Sequence, residues 1–330
     1  MAIRVLDLFC GGGGSSWGAQ ASGSVIAGGI DVCPLAVKTF QANFPLAQGH
    51  VRRLSEDTDP RDFSDLGQID LLLASPECTS HTCARGGRPR EEQSRLTARF
   101  VLNFMRHFGP RWTVIENVVS MRNWQGFNRL LGDMTNLGYK ASVQVIDSAD
   151  FGVPQTRRRL FILCGRDCRP SRLDPPLFST PVPAEQVIDW EAGYPSSPLF
   201  RPGRAAATLD RARRAIASLG RGCPFLVVYY GSDGSGGWQP LSRPLRTLTT
   251  LDRFGLVTWH GNEPMLRMLQ PPELMRGMGF DRVSMDRQYT LPFGSRRDRI
   301  RLLGNGVCPP VMASVVEHLC VSQGFAIAAE

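Results

Sequence analysis

The sequence predicts a doubly wound α/β fold with a second, smaller and irregular domain. Apolar strand-like runs alternate with helix-like segments through the first half of the chain, and strands that are apolar on both faces indicate a parallel sheet covered by helices on both sides. After Gly165 the periodicity fades and prolines accumulate, which indicates a linker and an irregular unit. At 330 residues the chain exceeds the usual size of one domain.

The first half of the chain supplies the elements of the predicted sheet. Its strands are the apolar runs Ala2–Leu6, Val25–Ala27, Ile69–Ala74, Thr113–Ile115, Ala141–Ile146 and Leu160–Cys164. Its helices, which carry apolar residues at helical spacing, are residues 15–21, 34–44, 96–108 and 127–137. Ligands of doubly wound sheets bind at the carboxyl ends of the strands, so we expect the functional residues there.

The second half of the sequence predicts a smaller domain, followed by a C-terminal segment that belongs to the first domain. A basic helix is expected at 211–219, strands at 225–230 and 256–259 beside a glycine-rich turn at 231–237, and a terminal helix at 309–319. We place the first domain at residues 1–168 and 298–330, and the second domain with its hinge at 169–297.

Composition favours an acidic partner and a reducing compartment. The net charge is +8, and the excess is mostly arginine, clustered at 157–159, 201–221 and 296–301. Arginine is well suited to phosphate and guanine edges, so nucleic acid is favoured over a plainly solvated basic surface. Nine scattered cysteines argue against a disulfide framework, and Cys164 and Cys168 lack the further ligands of a zinc site. We expect no metal, no signal peptide and no membrane span, and therefore a cytoplasmic protein.

Three polar stretches are candidates for the site. Asp7 to Gly14 (DLFCGGGG) links a strand to a helix, where glycines admit close backbone approach by a nucleotide-like cofactor or simply a tight connection. Glu116 ends a buried strand, where its carboxyl group is either a proton donor with a raised pKa or a helix N-cap. Gln155 to Arg159 (QTRRR) precedes an apolar strand, with Arg157 and Arg159 on one face.

Together with other stretches, these residues resemble the DNA (cytosine-5) methyltransferases. Six motifs occur in the order of that family and span almost the whole chain. They are DLFCGGGG, SPEC (Ser75 to Cys78), ENV (Glu116 to Val118), FGVPQTRRRLF (Phe151 to Phe161), RPLRTLTT (Arg243 to Thr250) and LLGNGVCPPV (Leu302 to Val311). The resemblance implies a Rossmann-like methyltransferase sheet and a target recognition domain between Gly165 and Arg243.

The resemblance also implies a mechanism and its residues. Cys78 is the implied nucleophile, whose thiolate adds to C6 of a cytosine flipped out of duplex DNA. Glu116 is implied to hold the N3 edge of the base, and Arg159, supported by Arg157 and Gln155, to contact the base or position the catalytic loop. The implied cofactor is S-adenosyl-L-methionine, which leaves as S-adenosyl-L-homocysteine. Its implied binding residues are Asp7, Phe9, Cys10, Gly11, Gly12, Gly13, Asp31, Asn305 and Val307.

The chain departs from the family pattern at three places. Glu77 precedes the predicted nucleophile, where an acidic neighbour disfavours a thiolate. Gly29 stands where the family usually carries an acidic residue for the cofactor ribose, so Asp31 is the expected substitute. His50 and Val51 stand where an acidic residue usually lies near the adenine amine.

The expected function is DNA cytosine-5 methylation by a monomeric bacterial or phage enzyme that acts on double-stranded DNA at the nucleoid, with restriction-modification as one setting. Two alternatives remain. One is a tRNA cytosine-5 methyltransferase of the related type, and the other is a catalytically silent DNA-binding relative. An intact set of Cys78, Glu116 and Arg159 argues against the silent relative.

Overall fold

The computed structural model describes residues 2–55, 57–76, 93–176, 180–230 and 236–321. The predicted nucleophile Cys78 and its neighbour Glu77 lie outside these residues. No helix in the described part of the chain is long and apolar enough to cross a membrane.

A mixed sheet dominates the first domain and confirms the predicted doubly wound α/β class. Within the described residues it has seven strands in the order β3-β2-β1-β4-β5-β7-β6. They are β1 Arg4–Leu8, β2 Val25–Asp31, β3 Gln48–Val51, β4 Leu71–Ala74, β5 Trp112–Val118, β6 Lys140–Asp147 and β7 Arg158–Gly165. The order reverses direction between β1 and β4, which is the topological switch point where ligands bind in such sheets.

One strand runs against the others. Strands β1 to β5 pair in parallel, whereas β7 is antiparallel to both β5 and β6. The sequence predicted a parallel sheet, and this detail is corrected. Parallel neighbours need a crossover of a dozen or more residues, but β6 and β7 are joined by a short connection that contains only the 3-10 turn Ser148–Phe151.

Helices cover both faces of the sheet. Within the described residues the α-helices are α1 Gly14–Ala21, α2 Pro34–Asn43, α3 Gln93–Phe108, α4 Phe127–Asn136, α5 Ala206–Leu219, α6 Pro271–Gly277, α7 Arg296–Asn305 and α8 Pro309–Val321. Of these, α5 packs on the second sheet. Alternate residues of β4 enter opposite cores. Leu71 and Leu73 pack in the cluster that contains residues of α1, α2 and α8, and Leu72 packs in the cluster that contains residues of α3 and α4. This two-sided burial explains why the strand reads as a continuous apolar run.

The second domain is built on an antiparallel sheet. Within the described residues this sheet has five strands in the order β10-β9-β11-β12-β8. They are β8 Ser197–Pro198, β9 Phe225–Val228, β10 Trp238–Pro240, β11 Phe254–His260 and β12 Glu263–Met268. Phe225 and Val227 pack with α5 on one face, while Leu226 and Val228 join the core shared with the first domain. The two domains are therefore in direct apolar contact.

The predicted domain division stays a prediction, and helix α7, Arg296–Asn305, crosses its boundary at residue 297. The second sheet lies inside residues 169–297. One residue of that range belongs physically to the first domain, because the Tyr289 hydroxyl donates to the Gly12 carbonyl at 2.5 Å and its ring packs edge-on against Trp17.

Candidate active site

A cleft of about 310 Å³ opens at the carboxyl ends of β1, β2, β4 and β5. Its walls are the turn after β1, the ends of β2 and β4, the end of β5 with the start of β7, and residues 301–307. Its position at the switch point and its volume suit a small organic ligand. The predicted site residues that line it are Phe9, Cys10, Gly11, Asp31, Glu116, Arg157, Arg159, Asn305 and Val307.

The turn after β1 has the backbone conformation expected of a ligand loop. Gly11 and Gly13 have φ angles of 53° and 93°, and Phe9, which is not a glycine, has a φ of 58°. A non-glycine residue in this region is strained, and such strain concentrates at functional sites. A Cβ on Gly11 would find no atom within 4 Å, so the space beside this backbone is open to a ligand.

Asp31 at the end of β2 holds this turn in place. Its Oδ2 accepts a hydrogen bond from the Gly11 amide at 2.9 Å, and its Oδ1 accepts one from the Cys33 amide at 2.8 Å. Burial raises the pKa of Asp31, while these amides and the Arg301 guanidinium oppose the rise. Each carboxylate oxygen has a further lone pair, so Asp31 can still accept a hydrogen bond from a ligand hydroxyl.

Gly29 makes no side-chain space for a ligand. A Cβ at this position would lie 2.6 Å from the Phe40 ring and 3.0 Å from Cys10 Sγ. Phe40 and Cys10 therefore fill the space beside Gly29, and the carboxylate of β2 that lines the cleft is that of Asp31.

Asp7, Gly12 and Gly13, whose binding to the cofactor stays a prediction, are not among the residues that line the cleft. A Cβ on Gly12 would lie 2.7 Å from the Tyr289 hydroxyl oxygen, and one on Gly13 would lie 2.5 Å from the Phe44 ring. These three residues support the turn from its buried side. No sequence signal pointed to Tyr289.

Asp7 is a fully buried carboxyl group. Its Oδ2 accepts a hydrogen bond from Ser16 Oγ at 2.7 Å, and its Oδ1 is buried without a hydrogen-bond partner among the described residues. Burial raises the pKa of Asp7 to about 7, with the Ser16 bond opposing the rise and the Asp31 charge adding to it. The side chain therefore titrates near neutral pH beneath the ligand turn.

Glu116 and Arg159 form an ion pair at the inner end of the cleft. Arg159 Nε lies 3.2 Å from Glu116 Oε1, and Glu116 is 6% exposed. Burial raises the pKa of Glu116, while the charges of Arg159 and Arg157 oppose the rise. A buried carboxyl group beside a fixed cation can hold a proton or a negative charge, as its ligand requires.

The Ser75–Pro76 turn after β4 is tied to both neighbouring strands. The Ser75 amide donates to the Leu8 carbonyl at 3.2 Å, and Asn117 Nδ2 donates to the Pro76 carbonyl at 3.1 Å. The predicted nucleophile two residues later lies outside the described residues. Ser75 and Pro76, which precede it in the sequence, are held at the same sheet edge as Glu116.

Gln155 does not reach the cleft. Its side chain is fully buried, with Nε2 donating to the Gly277 carbonyl at 3.0 Å and Oε1 accepting from the Leu248 amide at 2.8 Å. Both ends of the amide are occupied by backbone groups, so the predicted supporting role of Gln155 would act through the packing of this segment and stays a prediction. The alternation that placed Arg157 and Arg159 on one face gave no information on the direction of Gln155.

The stretch 301–307 closes the cleft opposite the turn. Asn305 ends α7, and Val307 is packed so tightly on α1 that a Cβ on Gly14 would lie 2.5 Å from the Val307 carbonyl oxygen. Arg301 and Cys33, which were not predicted as site residues, also line the cleft. Arg301 belongs to an arginine cluster that is visible in the sequence. Cys33 directly precedes α2, which begins at Pro34.

Residues 3–191 match the family described as C-5 cytosine-specific DNA methylase. The chain belongs to this family. The resemblance inferred from the motifs is thereby confirmed, and the match spans the glycine turn, the Ser75–Pro76 turn, Glu116 and the arginines of β7.

Individual relatives of this chain are type II methyltransferases. M.AgeI of Thalassovita gelatinovora is 32% identical over 183 residues, which are 53% of this chain and 42% of the relative. M.DdeI of Desulfomicrobium norvegicum is 28% identical over 222 residues, which are 63% of this chain and 51% of the relative. The chain thus spans about half the length of these curated relatives.

Solved structures share the fold of this chain over nearly its full length. A DNMT2 mutant of Spodoptera frugiperda superposes with a TM-score of 0.69 at 19% identity, over 96% of this chain and 99% of that one. The Dnmt2 methyltransferase of S. pombe gives a TM-score of 0.67 at 16% identity, over 98% and 100%. At these identities the likeness concerns the fold.

A methyltransferase of this family implies S-adenosylmethionine, and the cleft fits it. The open backbone at Gly11, the carboxylate of Asp31 and the apolar ring of Phe9 lie along one wall. A cofactor with hydroxyl, amine and aromatic groups finds donors, acceptors and apolar surface there.

Proposed function

We propose that the protein is a DNA (cytosine-5) methyltransferase that transfers the methyl group of S-adenosylmethionine to C5 of a cytosine in duplex DNA. The observation that carries the proposal is the Glu116–Arg159 pair in the wall of the cleft. It places a buried carboxyl group and a guanidinium where a base can lie beside the ligand turn. A catalytically silent relative has no need of such a costly buried pair.

The proposed nucleophile is Cys78. Cytosine C5 is too weak a nucleophile to be methylated directly, so a thiolate adds first to C6 and makes C5 electron-rich. The bound cofactor supplies an electrophilic methyl group. After transfer, a base removes the C5 proton and the C6–S bond breaks, which restores the thiol and the aromatic ring. The hydrogen bond from Asn117 to Pro76 supports this assignment, since it fixes Pro76, which precedes Cys78 by two residues in the sequence.

The proposed role of Glu116 is to hold and protonate the base. Burial raises its pKa, which favours the protonated carboxyl group that can donate to N3 as the thiolate adds to the ring. Arg159 keeps the carboxyl group oriented and donates a hydrogen bond to the carbonyl oxygen of the base. A base inside a duplex cannot reach this cleft, so the target cytosine has to be flipped out.

The proposed cofactor wall consists of Phe9, Cys10, Gly11 and Asp31, with Asn305 and Val307 opposite. Asp31 presents a carboxylate to the ribose hydroxyls, and the positive-φ turn brings backbone amides close to the ligand. Asp7, Gly12 and Gly13 act on the cofactor only through the turn that they support.

Double-stranded DNA is the proposed partner of a monomeric, cytoplasmic protein associated with the nucleoid. The net charge of +8 favours a polyanion, and the relatives are type II methyltransferases from bacteria. A restriction-modification setting follows from those relatives. The arginines of α5, at positions 211, 213 and 214, are candidates for phosphate contacts.

Methyl transfer from labelled S-adenosylmethionine to duplex DNA and to tRNA tests the proposal. We expect label in DNA with the wild type and none with Cys78→Ala, whereas Cys83→Ala, the nearest other thiol in sequence, keeps the activity. Label in tRNA alone would favour the related RNA enzymes, and tight DNA binding without label would favour the silent relative. Duplex DNA with 5-fluorocytosine should trap a covalent adduct on Cys78, and recovery of the adduct on Cys83 would contradict the assignment.

A further inference from the structure

The guanidinium of Arg157 joins three segments of the chain. It is 3% exposed. Nη1 donates to the Leu248 carbonyl at 2.9 Å, and Nη2 donates to the carbonyls of Gly304 and Gly306, each at 2.9 Å. Through these bonds the start of β7 is connected both to the stretch that follows the second domain's β10 and to the end of α7.

Two of the three acceptors belong to a helix C-terminus. Helix α7 ends at Asn305, and Gly306 is its C-cap. The last carbonyls of a helix lack partners within the helix and carry the negative end of its dipole. Arginine is always charged and offers its donors in a planar fork, so Arg157 satisfies these carbonyls and compensates the dipole at once.

The segment that Arg157 holds is one wall of the cofactor cleft. We call residues 304–307 the closing wall, and all four line the cleft. The wall faces the glycine turn at close range, because the Val307 carbonyl oxygen leaves no room for a side chain on Gly14. A shift of the wall therefore changes the width of the cleft directly.

The neighbouring arginine serves a different group. Arg159 lies on the same face of the extended chain and pairs with Glu116, whereas Arg157 donates hydrogen bonds to Gly304 and Gly306 of the closing wall and to Leu248. Two arginines of one motif thus point to two halves of the site.

We propose that Arg157 is a positioning residue for the cofactor, which fixes the closing wall against the glycine turn and so sets the affinity for S-adenosylmethionine. Arg159 acts on the base and leaves cofactor affinity unchanged. The inference rests on the proposed function for the identity of the cofactor. It assigns the side-chain hydrogen bonds of Arg157 to the cofactor half of the site.

Calorimetric titration with S-adenosylhomocysteine in the absence of DNA tests this division. We expect Arg157→Met to raise the Kd about tenfold or more, since small displacements of a binding wall have effects of this order. Arg157→Lys, which keeps the charge but loses the fork, should give an intermediate Kd. The matched control Arg159→Met should bind as the wild type does. In methyl transfer, Arg157→Lys should raise KM for the cofactor more than it lowers kcat.

A merely structural role would change thermal stability without changing Kd. A folded Arg157→Met protein with wild-type Kd would overturn the inference, and if that variant does not fold, a wild-type Kd for Arg157→Lys would overturn it. An equal loss of binding in Arg159→Met would also overturn the division. Failure of the wild type to bind the cofactor would instead overturn the proposed function.

Discussion

The buried carboxyl group of Asp7 predicts that the protein loses stability as the pH rises toward neutrality. Burial raises its pKa in the folded protein to about 7, from an ordinary value of 3.8. Between these values the folded state holds a proton that the unfolded state has released. The protonated Asp7 therefore stabilises the folded state at low pH, and this stabilisation is lost as the pH rises. Its contribution to the free energy of unfolding is complete below pH 3.8, falls across the interval, and is absent above about pH 7.

The magnitude follows from the same two values. One pKa unit corresponds to about 1.4 kcal/mol, so the interval from 3.8 to about 7 corresponds to about 4 kcal/mol at most. Burial also raises the pKa values of Asp31 and Glu116. The free energy of unfolding of the wild type, measured against pH, therefore does not isolate the contribution of Asp7.

The difference in the free energy of unfolding between the wild type and Asp7→Asn isolates the contribution of Asp7. Asparagine keeps the shape and can still accept from Ser16, but it does not titrate. We expect the free energy of unfolding of Asp7→Asn, relative to the wild type, to rise by about 2 to 3 kcal/mol between pH 5 and pH 7. Urea unfolding followed by circular dichroism at half-unit steps of pH measures it. Asp65→Asn, at an exposed site, separates the effect of burial from that of losing one charge. A difference independent of pH would refute the reasoning.

Three further predictions concern the cleft. Gly14→Ala should weaken S-adenosylhomocysteine binding and lower the free energy of unfolding by about 1–3 kcal/mol, since its Cβ would lie 2.5 Å from the Val307 carbonyl oxygen. Gly132→Ala, where a Cβ meets nothing within 4 Å, is its control, and equal calorimetric Kd values would contradict the prediction. Glu116→Gln should lower the single-turnover rate by about 10²–10⁴-fold, and a rate near that of the wild type would remove its role as an acid. Asn117→Leu should leave a buried carbonyl unpaired, which costs about 1–3 kcal/mol, and should slow adduct formation with 5-fluorocytosine DNA; unchanged trapping would show that the hydrogen bond from Asn117 to Pro76 is dispensable.

The sequence predicted the strands and helices whose buried residues form an apolar pattern along the chain. The continuous apolar run Ile69–Ala74 predicted β4, because both of its faces are buried. Strand β3, by contrast, has the sequence Gln48-Gly49-His50-Val51, and its polar edge position leaves no apolar pattern to find. Helix α7 was missed for the same reason, since arginines occupy most of its first half.

The site was predictable at the level of motifs but not of contacts. Motif positions identified Glu116 and Arg159, which the structure brings together. They could not show that Gln155 turns inward to backbone groups, or that Tyr289 reaches Gly12 from a distant part of the chain. Those contacts depend on tertiary packing, which local patterns do not encode.

The antiparallel direction of β7 explains how one motif reaches the site at all. The glycine turn, the Ser75–Pro76 turn and Glu116 follow or end parallel strands, so they meet at the carboxyl edge of the sheet. Arg157 and Arg159 instead stand at the beginning of a strand, and in a wholly parallel sheet they would lie at the opposite edge. Because β7 is reversed, Arg159 pairs in register with Val118, and the start of β7 arrives beside the end of β5. The reversed strand is therefore a requirement of the ion pair with Glu116, and of the link from Arg157 to the closing wall.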